Sequence, residues 1–85
     1  MKIEINIPDY SVSGGLKLDW EDSFTIKATI SGDTVHILAD EGGLKSLARH
    51  FLTLAQNSVP KGRHVHFDSS NSFEDGSCEM IIEKM

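Results

Sequence analysis

The sequence has little cysteine, few cations and no long apolar run, and each shortage excludes a class of protein. A single cysteine, Cys78, cannot form an internal disulfide framework or a Cys-rich zinc site. No stretch approaches the roughly 20 apolar residues of a membrane-spanning helix. Eight Lys and Arg against thirteen Asp and Glu give a net charge of −5, whereas general nucleic-acid binders need clustered cations. We therefore expect neither a membrane nor a nucleic acid as partner.

What remains is a small acidic chain of 85 residues, which is room for one domain over residues 1–85. Hydrophobic residues make up 39% and recur in periodic blocks, which argues against disorder. The first eight residues alternate in polarity rather than forming an apolar run, so they do not look like a signal peptide. A cytoplasmic location is the expectation, and a lone thiol fits it.

Period-two alternation predicts strands at residues 2–7, 24–31, 34–39, 63–68 and 77–84. The second and third form a hairpin through Gly32-Asp33, because glycine accepts the positive φ of a tight turn. In the return strand Val35 and Ile37 are expected to face inward and His36 outward. Residues 8–23 are less regular: Gly14-Gly15 favours a loop, and residues 16–18 resemble the start of one more strand.

One helix is predicted between Asp40, which suits an N-cap, and Asn57-Ser58, with Pro60 preventing continuation. Its expected apolar stripe is Leu44, Leu47, Ala48, Phe51 and Ala55, widened by Leu52 and Leu54. On the solvent side we expect Lys45, Arg49, Thr53 and Gln56.

A single amphipathic helix and a sheet with one apolar face bury their surfaces by packing on each other. The predicted fold class is therefore α+β, with the helix on one face of a mainly antiparallel sheet of four to six strands, in the order β-β-β-α-β-β. The other face of that sheet is left open.

The strand at 63–68 carries His64, His66 and Asp68 on its outer face because side chains two residues apart point the same way. With His36 from another strand, these groups make an alternative metal site for Zn²⁺ or a similar ion. They also suit a pH-sensitive patch, a partner contact, or a solvated sheet face that happens to contain histidines. No catalytic residues and no cofactor are assigned, since Cys78 suits the core and no phosphate-binding loop or Gly-x-Ser-x-Gly elbow is present.

Two acidic segments each place an aromatic residue beside carboxylates, Asp19-Trp20-Glu21-Asp22 and Ser72-Phe73-Glu74-Asp75. An exposed aromatic ringed by acids suits contact with a basic protein surface. The alternative is that the aromatic ring folds back over the sheet; Phe73 favours this, while both interpretations stay open for Trp20.

The second half of the chain resembles immunity protein family 32, small proteins encoded beside bacterial polymorphic toxins. The resemblance runs from Leu44 to Glu83 and is carried by Leu47-Ala48-Arg49-His50, Leu52-Thr53-Leu54-Ala55-Gln56, Val59-Pro60, Gly62, His64-x-His66-x-Asp68, Glu74, Gly76-Ser77, Glu79 and Ile81-Ile82-Glu83. It implies a protein that binds and neutralises a cognate toxin, and it supplies no binding residues.

From the residues themselves we expect a binding protein without enzyme activity. Its partner-binding residues are predicted as Trp20, Glu21, Asp22, His64, His66, Asp68, Glu74, Asp75 and Glu79. A metal-binding domain and a structural module that forms a homodimer through an open sheet face or strand edge are the alternatives.

Overall fold

The computed structural model describes all 85 residues and contains one helix and four strands. In chain order these are β1 (Ile26–Ser31), β2 (Thr34–Ala39), α1 (Glu41–Leu54), β3 (His64–Phe67) and β4 (Met80–Glu83). β1 pairs with β2 and β3 with β4, both antiparallel, as two separate two-stranded sheets. The α+β class is confirmed, whereas the single sheet of four to six strands is wrong. At 14 residues, α1 is too short and too polar to cross a bilayer.

The two sheets are joined by an irregular segment instead of a continuous ladder. The Glu74 amide donates to the Ile26 carbonyl and the Cys78 amide to the Ala28 carbonyl, both at 2.8 Å. Between them the chain turns at Gly76, whose φ is +85°, so residues 74–78 touch the free edge of β1 without forming a strand. This turn is the physical reason that one predicted sheet becomes two hairpins.

The predicted first strand, residues 2–7, is absent, and so is the strand expected at residues 16–18. The N-terminal segment is held instead by Gln56, which follows the end of α1: its side chain accepts from the Tyr10 amide at 3.2 Å and donates to the Pro8 carbonyl at 3.0 Å. Ile3 and Ile5 line an open groove of about 580 Å³ over the solvent side of α1. Alternation in the sequence was not sufficient for a strand here, because no neighbouring strand supplies the ladder.

The β1–β2 hairpin forms as predicted, with Gly32 at φ +60° in a two-residue turn between Ser31 and Thr34. Ile26 and Ala28 are fully buried on its inner face. Val35 and Ile37 pair with Ile30 and Ala28 across the hairpin and so point to the same side. The prediction that they are covered is nevertheless wrong, because the hairpin extends beyond the core and leaves Val35 63% exposed.

The predicted Asp40 cap is confirmed, with α1 beginning directly after it at Glu41, and the cap also ties the helix to the residue before β1. One carboxylate oxygen of Asp40 accepts from the Gly43 amide at 2.7 Å and from the Thr25 amide at 3.0 Å. These bonds, the Gly43 bond foremost, lower the pKa of Asp40. Gly42 and Gly43 then lie directly against the backbone carbonyls of Ser23 and Thr25, an approach that a Cβ atom would obstruct.

The predicted buried stripe of α1 is correct for Leu47 and wrong for most of its other members. Leu44, Ala48, Phe51, Leu52 and Ala55 are exposed, while Ser46, Leu47, His50, Thr53 and Leu54 are buried. The close glycine contact fixes the rotation of the helix. Buried hydroxyls are then satisfied locally: Ser46 accepts from the Glu21 amide at 3.0 Å, and Thr53 donates to the Arg49 carbonyl at 2.7 Å.

The core lies between α1 and the inner faces of both hairpins. Its buried members are Ile26, Ala28, Leu47, Val65, Phe67 and Phe73. Phe73 stacks on Phe67 with ring centroids 5.4 Å apart, which confirms that it folds back onto the sheet. Met80 and Ile82 of β4 pack against this core, as their alternation predicts.

The close contact of Gly43 in α1 with Thr25 and Ile26 predicts that adding one methyl group at Gly43 will destabilise the protein. In an open helix position Gly→Ala is stabilising, but a Cβ at Gly43 would lie 2.5 Å from the Thr25 carbonyl and 2.8 Å from Ile26. We expect Gly43→Ala to lower the free energy of unfolding by roughly 1–3 kcal/mol, the usual effect of overpacking. Urea denaturation measures this. Lys45→Ala, at an exposed position of the same helix, is the control, and a Gly43→Ala variant as stable as that control would contradict the prediction.

Candidate functional site

The outer face of the β3–β4 hairpin, away from α1, carries the densest group of predicted site residues. Val65 and Phe67 point into the core, so His64 and His66 point outward, as predicted. The register places His64 opposite Glu83 and His66 opposite Ile81. We call the outward residues His64, His66, Glu79, Ile81 and Glu83 the histidine face.

The histidine face is polar at its rim and apolar at its centre. Nδ1 of His66 lies 3.3 Å from a Glu79 carboxylate oxygen, and Nδ1 of His64 lies 3.1 Å from the Gly62 carbonyl oxygen. The two imidazole rings meet edge to face at 4.8 Å. Ile81, directly across from His66, is 49% exposed. An exposed aliphatic side chain ringed by hydrogen-bonding groups has the composition of a small protein-contact patch.

Before this face along the chain comes an acidic turn that contains Glu74 and Asp75. Both residues are exposed, and the Glu74 amide bond to Ile26 fixes the turn against β1. Asp68 is placed differently from the sequence expectation of a free outer carboxylate. Its side chain accepts from the Ser70 amide at 2.9 Å, and its carbonyl accepts from the amides of residues 71–73, so Asp68 shapes the loop that follows β3.

The other aromatic-acidic segment lies on the opposite side of the β3–β4 hairpin. Trp20 is half-buried, stacks on Phe24 with centroids 4.5 Å apart, and meets the inward ring of Phe67 edge to face at 5.7 Å. Glu21 forms an ion pair with Arg49 at 2.8 Å. Asp22 is exposed. Trp20 is therefore a packing residue that keeps part of its surface accessible.

The nine predicted binding residues consequently do not form one surface. His64, His66 and Glu79 share the histidine face, and Glu74 and Asp75 lie in the turn that precedes Glu79 along the chain. Trp20, Glu21 and Asp22 lie on the helix side, and Asp68 belongs to the loop after β3. The predicted set omits Ile81 and Glu83. Both could have been included from the sequence, because residues 79, 81 and 83 alternate and so share one face. The role of all nine in binding stays a prediction.

The structure does not assemble the alternative metal site. His36 lies on β2 of the first hairpin, whereas His64 and His66 lie on β3 of the second. No group of three His, Cys, Asp or Glu side chains converges closely enough to hold an ion.

The fourth histidine, His50, is a feature that the sequence analysis did not single out. Its side chain is 1% exposed, with Trp20 edge-on at 4.2 Å and Phe67 stacked at 5.7 Å. Neither ring nitrogen has a hydrogen-bond partner. Burial, together with the positive charge of Arg49 and against a smaller opposing effect of Asp19, lowers the pKa of His50 to about 4. His50 therefore packs as a neutral aromatic ring.

Comparison with known protein families gives a match over more than half of the chain. The family model described as immunity protein 32 matches residues 34–85, which confirms the resemblance and extends it through β2 toward the N-terminus. No curated protein and no solved structure matches the chain.

The buried, neutral His50 predicts a loss of stability in acid. An unfolded histidine binds its proton below pH 6.5, but folded His50 does so only below about pH 4, so the unfolded state binds more protons between these values. Stability attributable to this residue is complete above pH 6.5 and falls as the pH drops, by up to ~3 kcal/mol at pH 4.

His50→Phe removes the titrating group and keeps the aromatic packing, so we expect a smaller loss of stability between pH 7 and pH 4.5. Urea midpoints at several pH values measure it. Leu52→Ala on the exposed side of the helix serves as the control and should keep the full acid dependence. Parallel pH profiles of wild type and His50→Phe would show that His50 is not the cause.

Proposed function

Since the chain belongs to the immunity protein 32 family, we propose that it binds and neutralises a cognate toxin by direct protein–protein contact. The family match over β2, α1, β3 and β4 is the observation that carries this proposal. We propose further that the histidine face and the acidic turn are the surface that meets the toxin. Neutralisation then depends on covering the toxin rather than on catalysis, and takes place in the cytoplasm.

Shape and composition support the histidine face as the contact. Ile81 supplies an apolar centre, and a handful of such residues usually dominates binding energy. Around it, each imidazole already uses one nitrogen within the protein, since Nδ1 of His64 contacts Gly62 and Nδ1 of His66 contacts Glu79. The opposite nitrogen of each ring remains available to a partner. Neither histidine is hydrogen-bonded to a serine, threonine or cysteine side chain, which supports contact over catalysis.

Charge supports a basic partner. Residues 1–39 hold six acids against three cations, and residues 60–85 hold five against three, while residues 40–59 are balanced. The excess lies in the irregular segments and turns rather than in α1 or the four strands. Glu79 and Glu83 lie on the histidine face, and Glu74 and Asp75 lie in the exposed turn that precedes it along the chain; these acids would accelerate association with a basic toxin surface.

The test is binding between the full chain and the product of the adjacent toxin gene, by titration calorimetry and by rescue of cells that express the toxin. We expect Glu74→Lys combined with Asp75→Lys to weaken binding about tenfold or more, mainly through slower association that depends on salt. Glu4→Lys combined with Asp9→Lys changes two exposed acids in the N-terminal segment by the same total charge and is the charge-matched control.

A second variant, Ile81→Lys, places a cation at the centre of the histidine face, and loss of binding with retained folding is the expected result. If wild type, Ile81→Lys and the Glu74→Lys/Asp75→Lys variant bind the toxin with equal affinity, the toxin contact does not lie on this face. Absence of any complex between the wild-type chain and the toxin would remove the proposed function itself.

A further inference from the structure

The outer edge of β2 is an unpaired strand edge. The opposite side of the first hairpin is already used, since the outward groups of β1 bond to Glu74, Ser77 and Cys78. In line with the register, the Asp40 amide donates to the carbonyl of Thr25, the residue before β1. Residues 34, 36 and 38 therefore also point their backbone groups toward β1. By alternation, the N–H and C=O groups of Val35 and Ile37 point away from the protein and have no hydrogen-bond partner.

The edge of β2 lacks the features that usually prevent a strand edge from pairing with another chain. The six residues of β2, Thr34–Ala39, contain no proline and no charged side chain, and their register with β1 is free of bulges. Val35 is 63% exposed on the inner face and Leu38 62% exposed on the outer face. A strand added here would gain backbone hydrogen bonds and apolar contacts on both faces of the sheet.

Charges at the two ends of β2 decide which partner fits. Asp33 precedes the strand, and Asp40 and Glu41 follow it. Two copies of this chain paired antiparallel through β2 would bring the Asp33 end of one copy against the Asp40–Glu41 end of the other, and like charges oppose that pairing. A strand with apolar residues at alternate positions and Lys or Arg at its ends meets acid at both ends of β2 instead.

We propose that the β2 edge binds an extended segment of the toxin, with an apolar centre and basic ends, as an added strand of the first hairpin. This inference rests on the proposed function and is separate from the histidine face. The backbone pairing supplies contact that is nearly independent of side chains. Val35 and Ile37 select apolar residues at alternate positions on the inner face, Leu38 selects one on the outer face, and Asp33 and Glu41 select the basic ends.

The first experiment uses the wild-type chain and the toxin. Amide hydrogen exchange at Val35 and Ile37 should slow at least tenfold in the complex, because both amides become donors to the added strand. Unchanged exchange at these two amides in a saturated complex would overturn the proposal.

The second experiment compares two substitutions at one position. Val35→Pro removes an N–H that the folded chain does not use, so proline is tolerable on this edge, and we expect at least tenfold weaker toxin binding. Val35→Thr keeps the N–H and a β-branched side chain, and should bind within about threefold of wild type. Thermal unfolding checks that both variants fold. Should Val35→Pro unfold, Asp33→Lys combined with Glu41→Lys takes its place, with weaker binding expected.

The outcomes separate the two proposals. If toxin binding is weakened by Ile81→Lys but not by Val35→Pro, the β2 proposal is wrong and the proposed function stands. If the wild-type chain binds no toxin, both are wrong. If light scattering shows a wild-type dimer that Val35→Pro dissociates, while toxin affinity is unchanged, a second copy occupies the edge and the β2 proposal is again overturned.

Discussion

The rest of the structure depends on how closely the first turn of α1 approaches the chain that enters β1. Gly42 and Gly43 lie against the carbonyls of Ser23 and Thr25, and Asp40 bonds simultaneously to the helix and to Thr25. A helix held this tightly at its start cannot rotate to bury its most apolar side. The backbone contact at Gly42 and Gly43 decides which residues of α1 face inward. The side chains at those positions are therefore buried whether they are apolar or polar.

This constraint explains why α1 contributes several polar side chains to the core although it has enough apolar residues to fill it. Ser46 and Thr53 are buried because each finds a nearby backbone partner, and His50 is buried between Trp20 and Phe67 as an uncharged ring. The consequence is an outer helix surface bearing Leu44, Phe51 and Leu52. Trp20 also acquires its position in this way, since its ring closes over His50 rather than extending into solvent.

Sequence patterns predicted the elements whose cause is local and failed where the cause is a distant contact. The Gly32-Asp33 turn, the Asp40 cap and the alternation of β3 and β4 depend on neighbours along the chain, and these were correct. The burial of Ser46 depends on Glu21, and the course of residues 8–10 depends on Gln56, and no periodicity records either bond. For the same reason, alternation in the sequence predicted the histidine face, whereas only the three-dimensional structure shows that Trp20 lies on a different surface.

The two proposed contact regions divide the task of recognising one partner. In the proposed complex, side chains of the histidine face would recognise the shape and charge of the toxin, so changes in Ile81 or His66 would alter which toxin is accepted. The β2 edge would add affinity through backbone pairing, and its side chains would select only for an apolar centre and basic ends. An unguarded edge of this kind exposes a protein to self-association, and the acids at both of its ends, Asp33 and Glu41, oppose that while admitting a basic strand. Under both proposals, the net charge of −5 would favour a basic partner, and the acids at the two ends of β2 would repel a second copy at the same strand.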